Sequence, residues 1–462
     1  MRAPVRSPAL FDPMQVGLAA SMLALSVFVG AGVATAGRAP RLALLGLVVV
    51  AGASILLSLT PKVVFLAWFG VAPLLQESAS RTTLGHDLGL ALYVAPSLVF
   101  AIWTLTHRPY GIRPRFLDVL PLAYFLYTLA WVVAKGNLSS TITKDIYVTV
   151  GIGVVIYYFF AFGPIGALSA TSVVAMVLVV TLVEAAMSIV DGATRWNLWH
   201  DTGWQTGEAR AVATLANPAV LGTLLGMGIV LALAILVWNG PAPLRKLAIA
   251  TIVVGFPGLY FTLTRAPIIG TLAAVLLVLI TRTKTRLLAL AVCVVAVVAL
   301  SASWSRITAS TIYRERVTNA TNVQARFLIQ DWSLKLAAER PVFGWGYASF
   351  DRVKNTANLS SGTTPLGFGT NNTSHNTYLT ILVELGSVGL ALLAIPWLLI
   401  PWRAARSALR DPRSTWFVVG AVAALIVFVA AANAGDFKYF SFLPVVPWLL
   451  LGLLRRRQLT EV

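Results

Sequence analysis

The run PAVLGTLLGMGIVLALAILVW, Pro218 to Trp238, carries no charged residue and a single hydroxyl, that of Thr223. A helix needs about 20 apolar residues to cross a bilayer core of about 30 Å, so this run is long enough to span one. Comparable runs fall near 17–36, 41–60, 62–76, 86–106, 116–134, 145–163, 166–190, 245–263, 266–281, 285–303, 376–399, 414–432 and 436–454. The runs at 62–76 and 266–281 are short and read as re-entrant, interfacial or joined to a neighbour, which leaves an expected count of 12–14 spans. The first run reads as a retained helix, with a signal-like role as the alternative.

Composition agrees with this reading. With 58% hydrophobic and 11% charged residues and a mean hydropathy of +0.81, the chain lies far from soluble proteins, about a quarter of whose residues are charged. The expected fold class is all-α, a polytopic helical membrane protein with a large external loop containing short amphipathic helices. The net charge of +18 does not point to nucleic acid, because much of it flanks apolar runs, where it orients a chain in the bilayer. Cys293, the single cysteine, lies in an apolar run, so no intramolecular disulfide or thiolate metal cluster is expected.

The short basic segments at 107–115, 244–246, 281–286, 403–413 and 455–457 fall on one side when the runs are threaded alternately. By the positive-inside rule that side is cytoplasmic, and the two long polar connections, 191–217 and 304–375, then emerge outside. The second is basic on balance, but loops longer than about 60 residues cross largely regardless of charge. The organisation expected is an N-terminal bundle (1–190), a segment with the first external loop and arginines (191–303), the large external loop (304–375) and C-terminal helices (376–462).

Chemistry must then be built from helix ends and outer loops. There is no HExxH, Walker loop, GxSxG or paired-acid motif, which argues against a metal site, and no cofactor is expected. What the outer side offers is cationic: Arg210 before one span, Arg265 at a turn, Arg326 opening an amphipathic segment from Ala325 to Arg340, and His375 heading the run SHNTYLTILVELGSVGL. A boundary arginine can simply snorkel to headgroups. Several on one face suit an anionic ligand, because guanidinium stays protonated and grips phosphate oxygens in pairs. Ser374 or Asn376 can cap the helix, and Glu384 shares a face with Thr380 and Asn376 at the helical period. A carboxylate at that depth needs a partner, and the sequence leaves a structural and a catalytic role equally open. Gly386 and Gly389 are expected to permit close helix packing.

SHNTYLTILVELGSVGL resembles the HNxYLxxLxExGxxG signature of the O-antigen ligase and polymerase superfamily, with His375, Asn376, Tyr378, Glu384, Gly386 and Gly389 in place. The preceding segment resembles its R…W…PxxGxGxxxF element through Arg326, Trp332, Pro341, Gly344, Gly346 and Phe350. ARAVATLANPAVLG resembles a third element through Arg210, Thr214, Asn217 and Pro218, with Ala219 in place of the usual second asparagine. TLTRAPIIG keeps Arg265 but has threonine and alanine where serine and glycine are common. The likeness spans residues 205–395.

The resemblance implies a membrane glycosyltransferase of GT-C type in the bacterial cytoplasmic membrane, working on its outer face without metal. Such enzymes move a glycan from a polyprenyl diphosphate to an acceptor hydroxyl on a lipid or glycan. On that reading Arg210, Arg265 and Arg326 bind the diphosphate, His375 is catalytic, and Asn376, Glu384 and Asn217 support them. A polymerase of lipid-linked repeat units fits the same signature. A transporter or flippase is the more distant alternative, with Glu184 as its best pathway residue.

Overall fold

The structure is a computed structural model. It describes residues 56–57, 59–78, 83–107, 114–134, 146–165, 169–194, 210–215, 217–288, 290–291, 320–350, 352–353, 374–408, 415–440 and 442–460. The expected span at 17–36, most of those at 41–60 and 285–303, Cys293 and the polar stretch 354–373 lie outside these residues.

The described residues form twelve α-helices and no strand: α1 (Pro61–Ser78), α2 (Thr83–Thr106), α3 (Phe116–Ala134), α4 (Ile152–Phe162), α5 (Ala170–Thr194), α6 (Pro218–Val237), α7 (Ala242–Phe261), α8 (Arg265–Ile280), α9 (Ala320–Glu339), α10 (Thr377–Ala408), α11 (Thr415–Ala432) and α12 (Val445–Thr460). Six of them, α3, α5, α6, α7, α10 and α11, are long and apolar enough to cross a membrane. Shorter apolar helices lie at Pro61–Pro73, Val94–Thr106, Tyr147–Phe162 and Arg265–Ile280. The protein is an all-α polytopic membrane protein.

α6 is apolar all round and nearly every side chain on it is buried, as expected of a central helix. It packs against α5, α7, α8 and α11. A second group pairs α4 with α12 and α2, and there aromatic rings fill the contact: Phe65 of α1 meets Phe160 edge-on at 4.9 Å, and Phe100 of α2 meets Phe159 at 4.6 Å. Between apolar helices in lipid such van der Waals packing replaces the hydrophobic drive. α10 joins the groups by touching α3, α9, α11 and α12.

The two ends of the bundle differ. At one, Arg455 near the end of α12 grips Asp118 at the start of α3 through two bonds of 2.6 Å, and both side chains are buried. Tyr157 donates to the same carboxylate at 3.0 Å, Tyr158 donates to the Asp118 carbonyl, and Arg456 donates to the Gly163 carbonyl at 2.8 Å. Arg455, expected to be a loop charge, is thus a buried helix residue with a partner. Helix directions put Arg245, Lys246, Arg282, Lys284 and Arg286 at this end too, since α7 finishes and α8 begins at the other. The far end carries the candidate site.

Two expectations on helix limits change. The span expected at 376–399 runs to Ala408 and is broken at Gly386, where φ is 68°. The span expected at 436–454 starts only at Val445, because residues 433–440 form a loop with a 3-10 turn at Phe437–Tyr439.

Candidate functional site

Arg210 and Arg265 are brought together by the turn between α7 and α8. Leu263 takes a left-handed φ of 48°, and the Thr262 hydroxyl donates to the Leu259 carbonyl at 2.8 Å and meets the Thr264 hydroxyl at 2.7 Å. Arg265 follows at the first position of α8 and is exposed. Onto this turn folds the segment 210–215: Ala211 N–H donates to the Phe261 carbonyl at 3.0 Å, and Arg210 Nε donates to the Thr262 carbonyl at 3.2 Å. α5 holds the segment from the other side. Its Asp191 accepts from the N–H groups of Val212 and Ala213 at 2.8 and 3.2 Å, and its Glu184 accepts from the Thr214 hydroxyl at 2.5 Å. Glu184, the residue that best suited a transport pathway, therefore fastens a loop. Asn217 caps α6, accepting from Ala219 and Val220 at 2.9 and 3.3 Å ahead of Pro218.

His375 sits in a left-handed turn, φ 53°, just before α10. Asn376 caps that helix by accepting from Tyr378 and Leu379 at 3.0 and 3.2 Å, and its amide donates to Asn433 at 3.0 Å. Thr377 continues the stitching: its hydroxyl donates to the Gly435 carbonyl and accepts from Phe437 N–H, both at 2.9 Å. The loop 433–438 thus clamps the flanks of His375.

Arg326 comes from α9, whose existence the sequence foretold but whose buried face it did not. The stripe Ile329, Ser333, Leu336 and Ala337 is buried; of the apolar residues that the sequence spaces along this segment, Phe327, Trp332, Leu334 and Leu336, Leu336 joins the stripe, Trp332 is half-buried, and Phe327 and Leu334 are exposed. Arg326 shares the helix side of Ser333 and Ala337 by the 3.6-residue period. After α9, Pro341–Gly346 docks into the break of α10. A break at Gly386 leaves helical carbonyls and N–H groups without their intrahelical partners, and the docked turn supplies them. Trp345 and Gly346 donate to the carbonyls of Val383 and Glu384 at 2.9 and 2.7 Å; Ser387 and Val388 donate to those of Pro341 and Val342 at 2.8 and 3.1 Å. Tyr127 of α3 donates to the carbonyls of Phe343 and Leu385 at 3.0 and 3.1 Å. Gly386 therefore serves the approach of a loop rather than helix-on-helix packing, and a Cβ on Gly389 would meet Leu385 of its own helix.

Glu384 finds its partner here. It is fully buried, is ion-paired with Lys438, and accepts from Phe350 N–H at 3.3 Å. The Lys438 ammonium also lies 4.2 Å from the centre of the Tyr347 ring. Asp436, two residues earlier, accepts from Lys438 N–H at 3.2 Å, and burial raises its carboxyl above the ordinary range. The sequence reading missed both; the only signal was a pair of opposite charges heading an apolar run.

Electrostatics tie the cations into one group. Burial, then the charge of Arg326, lowers Arg210 to about 10, which keeps it protonated at neutral pH. Arg326 keeps exposed surface, yet surrounding protein and the charge of Arg265 lower it. Burial, then Arg326, lowers His375 below 6.5, so its imidazole is neutral at pH 7. Arg326 is thus the hub that senses the other three. Beneath the His375 turn lies a cavity of ≈ 240 Å³ lined by Thr377, Tyr378 and Lys438 at its polar side and by Ala394, Trp397 and Trp448 deeper down. Among the described residues no group of three or more His, Cys, Asp or Glu side chains could hold a metal ion.

Residues 250–394, about a third of the chain, match the family model described as O-Antigen ligase. No curated protein matches the chain. The matched segment contains Arg265, Arg326, His375, Asn376 and Glu384, while Arg210, Asn217 and Lys438 lie outside it. Through this segment the chain is similar to the O-antigen ligase and polymerase superfamily of membrane enzymes.

Proposed function

We propose that the protein transfers a glycan from a polyprenyl-diphosphate-linked donor to an acceptor hydroxyl, on the outer face of the cytoplasmic membrane and with inversion at the anomeric carbon. The observation that carries this reading is the gathering of Arg210, Arg265, Arg326 and a neutral His375 at the bundle end opposite the basic helix ends. The positive-inside rule favours a cytoplasmic basic end, which supports a site on the outer face.

The chemistry follows from charge. The acceptor oxygen attacks the anomeric carbon while the carbon–oxygen bond to the diphosphate breaks, and the leaving diphosphate gains negative charge. Fixed guanidinium groups of Arg210 and Arg265 stabilise that charge without reorganising, and Arg326 adds a third contact. The acceptor proton passes to His375, whose neutral ring can accept it. Asn376 and Asn217 hold the helix starts beside these groups. The cavity below the His375 turn offers an apolar path for the donor's lipid.

The test is glycan transfer by purified protein supplied with a lipid-linked donor, with and without candidate acceptors. A new glycosidic bond, lost in Arg265→Ala and His375→Asn proteins that still fold, supports the assignment; full activity in both variants sinks it. Chain growth with donor alone identifies the polymerase reaction, and movement of intact donor across the bilayer without bond formation identifies transport.

A further inference from the structure

Four segments must hold register for the cationic group to act as one: the turn before α10 that carries His375, α9 that carries Arg326, the break in α10, and the loop 433–438. Hydrogen bonds join them in pairs. Loop 433–438 is stitched to the His375 turn through Thr377 and Asn376, and the turn after α9 is docked on the break. Among the described contacts, the side chain of Lys438 crosses between these two assemblies, meeting both Glu384 and Tyr347. Lys438 leaves the loop and pairs with Glu384, whose other oxygen accepts from Phe350 and whose carbonyl accepts from Gly346, both in the segment after α9. The Tyr347 ring of that segment covers the same ammonium.

We propose that Lys438 is a positioning residue: its bond to Glu384 locks the segment bearing Arg326 to the loop that clamps His375, and so sets the spacing between the group that accepts the proton and a cation that holds the diphosphate. The proposal rests on the glycan-transfer reading above. It also assigns Glu384 a role through Lys438 rather than contact with substrate. A buried lysine and glutamate are costly to dehydrate unless each satisfies the other, and apolar residues would fill this space at no such cost. Their retention in a catalytic neighbourhood suits a demand for fixed geometry, since a displacement of about 1 Å can cost about 10²-fold in rate.

The experiment compares Lys438→Met, Lys438→Arg, Glu384→Gln and the double variant Lys438→Met/Glu384→Gln, which removes both charges of the pair together if the single variants fail to fold. Kinetics with a lipid-linked donor are read beside the distance between spin labels on Ala338→Cys in α9 and Val429→Cys in α11, in a Cys293→Ser background. Expected are a kcat at least tenfold lower in the double variant with a donor KM within about threefold of the parent, a broadened label distance, and partial recovery of kcat in Lys438→Arg. A double variant with parental kcat, or with lost kcat but an unchanged narrow distance, overturns the proposal. Should the parent form no glycosidic bond, the functional reading fails, while the label distances still decide whether the lock exists.

Discussion

His375 occupies backbone that asparagine tolerates and alanine does not readily adopt. His375→Asn is therefore the substitution that removes the imidazole while keeping the turn, and a loss of transfer in it reports chemistry rather than folding. The direction of the His375 shift fixes a pH dependence. Its pKa is lowered by burial and by Arg326, so the neutral, proton-accepting ring persists at pH 7 and is lost as pH falls through a value below 6.5. The kcat profile should show an acidic limb there. In Arg326→Gln the like charge is gone, the imidazole pKa rises, and the limb should move to higher pH; an unmoved limb would separate the two residues. On the proposed reading Arg210 and Arg265 hold the leaving diphosphate, so Arg210→Gln and Arg265→Gln should each lower kcat about 10²-fold or more, measured with saturating donor. These cations stood out in the sequence as charges beside apolar runs and at the head of an amphipathic segment. Lys438 and Asp436 were not, because the apolar residues that follow them drew them into a helix that in fact begins at Val445.

At the scale of elements, the decisive feature is the break in α10 and the turn that fills it. Gly344 and Gly386 both have positive φ, 75° and 68°, and a Cβ on either would press on backbone of the other segment. Gly344→Ala and Gly386→Ala should each cost about 2–4 kcal/mol, the sum of backbone strain and overpacking, seen as a lowered melting temperature of the detergent-solubilised protein. Gly420→Ala, in helical backbone against the flexible Leu231 and the small Ala234, should cost less. Helical periodicity placed Glu384 on the face of Thr380 and Asn376, which the structure bears out as far as Leu385. It could not reveal the break, because apolar residues continue on both sides of Gly386, nor a partner 54 residues away in Lys438. The buried stripe of α9 was not legible for a related reason. Phe327 and Leu334 are larger than Ser333 and Ala337, but the smaller residues let α9 lie close on α10.

At the scale of the molecule, the spans were legible from length and hydropathy alone: 116–134 coincides with α3, and 218–238 agrees with α6 to within a residue. Which helices touch was not, because lipid-facing and buried positions are equally apolar in a membrane. The ion pair at the end away from the site is one such contact. Asp118→Asn leaves the Arg455 guanidinium buried without its counter-charge and should cost about 3–5 kcal/mol, whereas Asp118→Leu/Arg455→Met should recover much of that loss; glycan transfer by the folded fraction should stay parental in both, since the pair is remote from the cations. The cavity tests the opposite end. It is lined by Thr377 and Tyr378, next to His375, and by Leu398 and Val429, which are exposed on the bundle surface, so on the proposed reading the donor's lipid chain would enter it from the side. Ala394 lines this space with the smallest side chain available, and Ala394→Trp would fill much of it. If the donor's chain lies there, the variant raises KM for a long polyprenyl donor by tenfold or more and leaves KM for a donor truncated to two or three isoprene units near the parental value. Equal effects on both donors would mean that the bulk disturbs the His375 turn instead, and no effect on either would place the lipid elsewhere on the bundle.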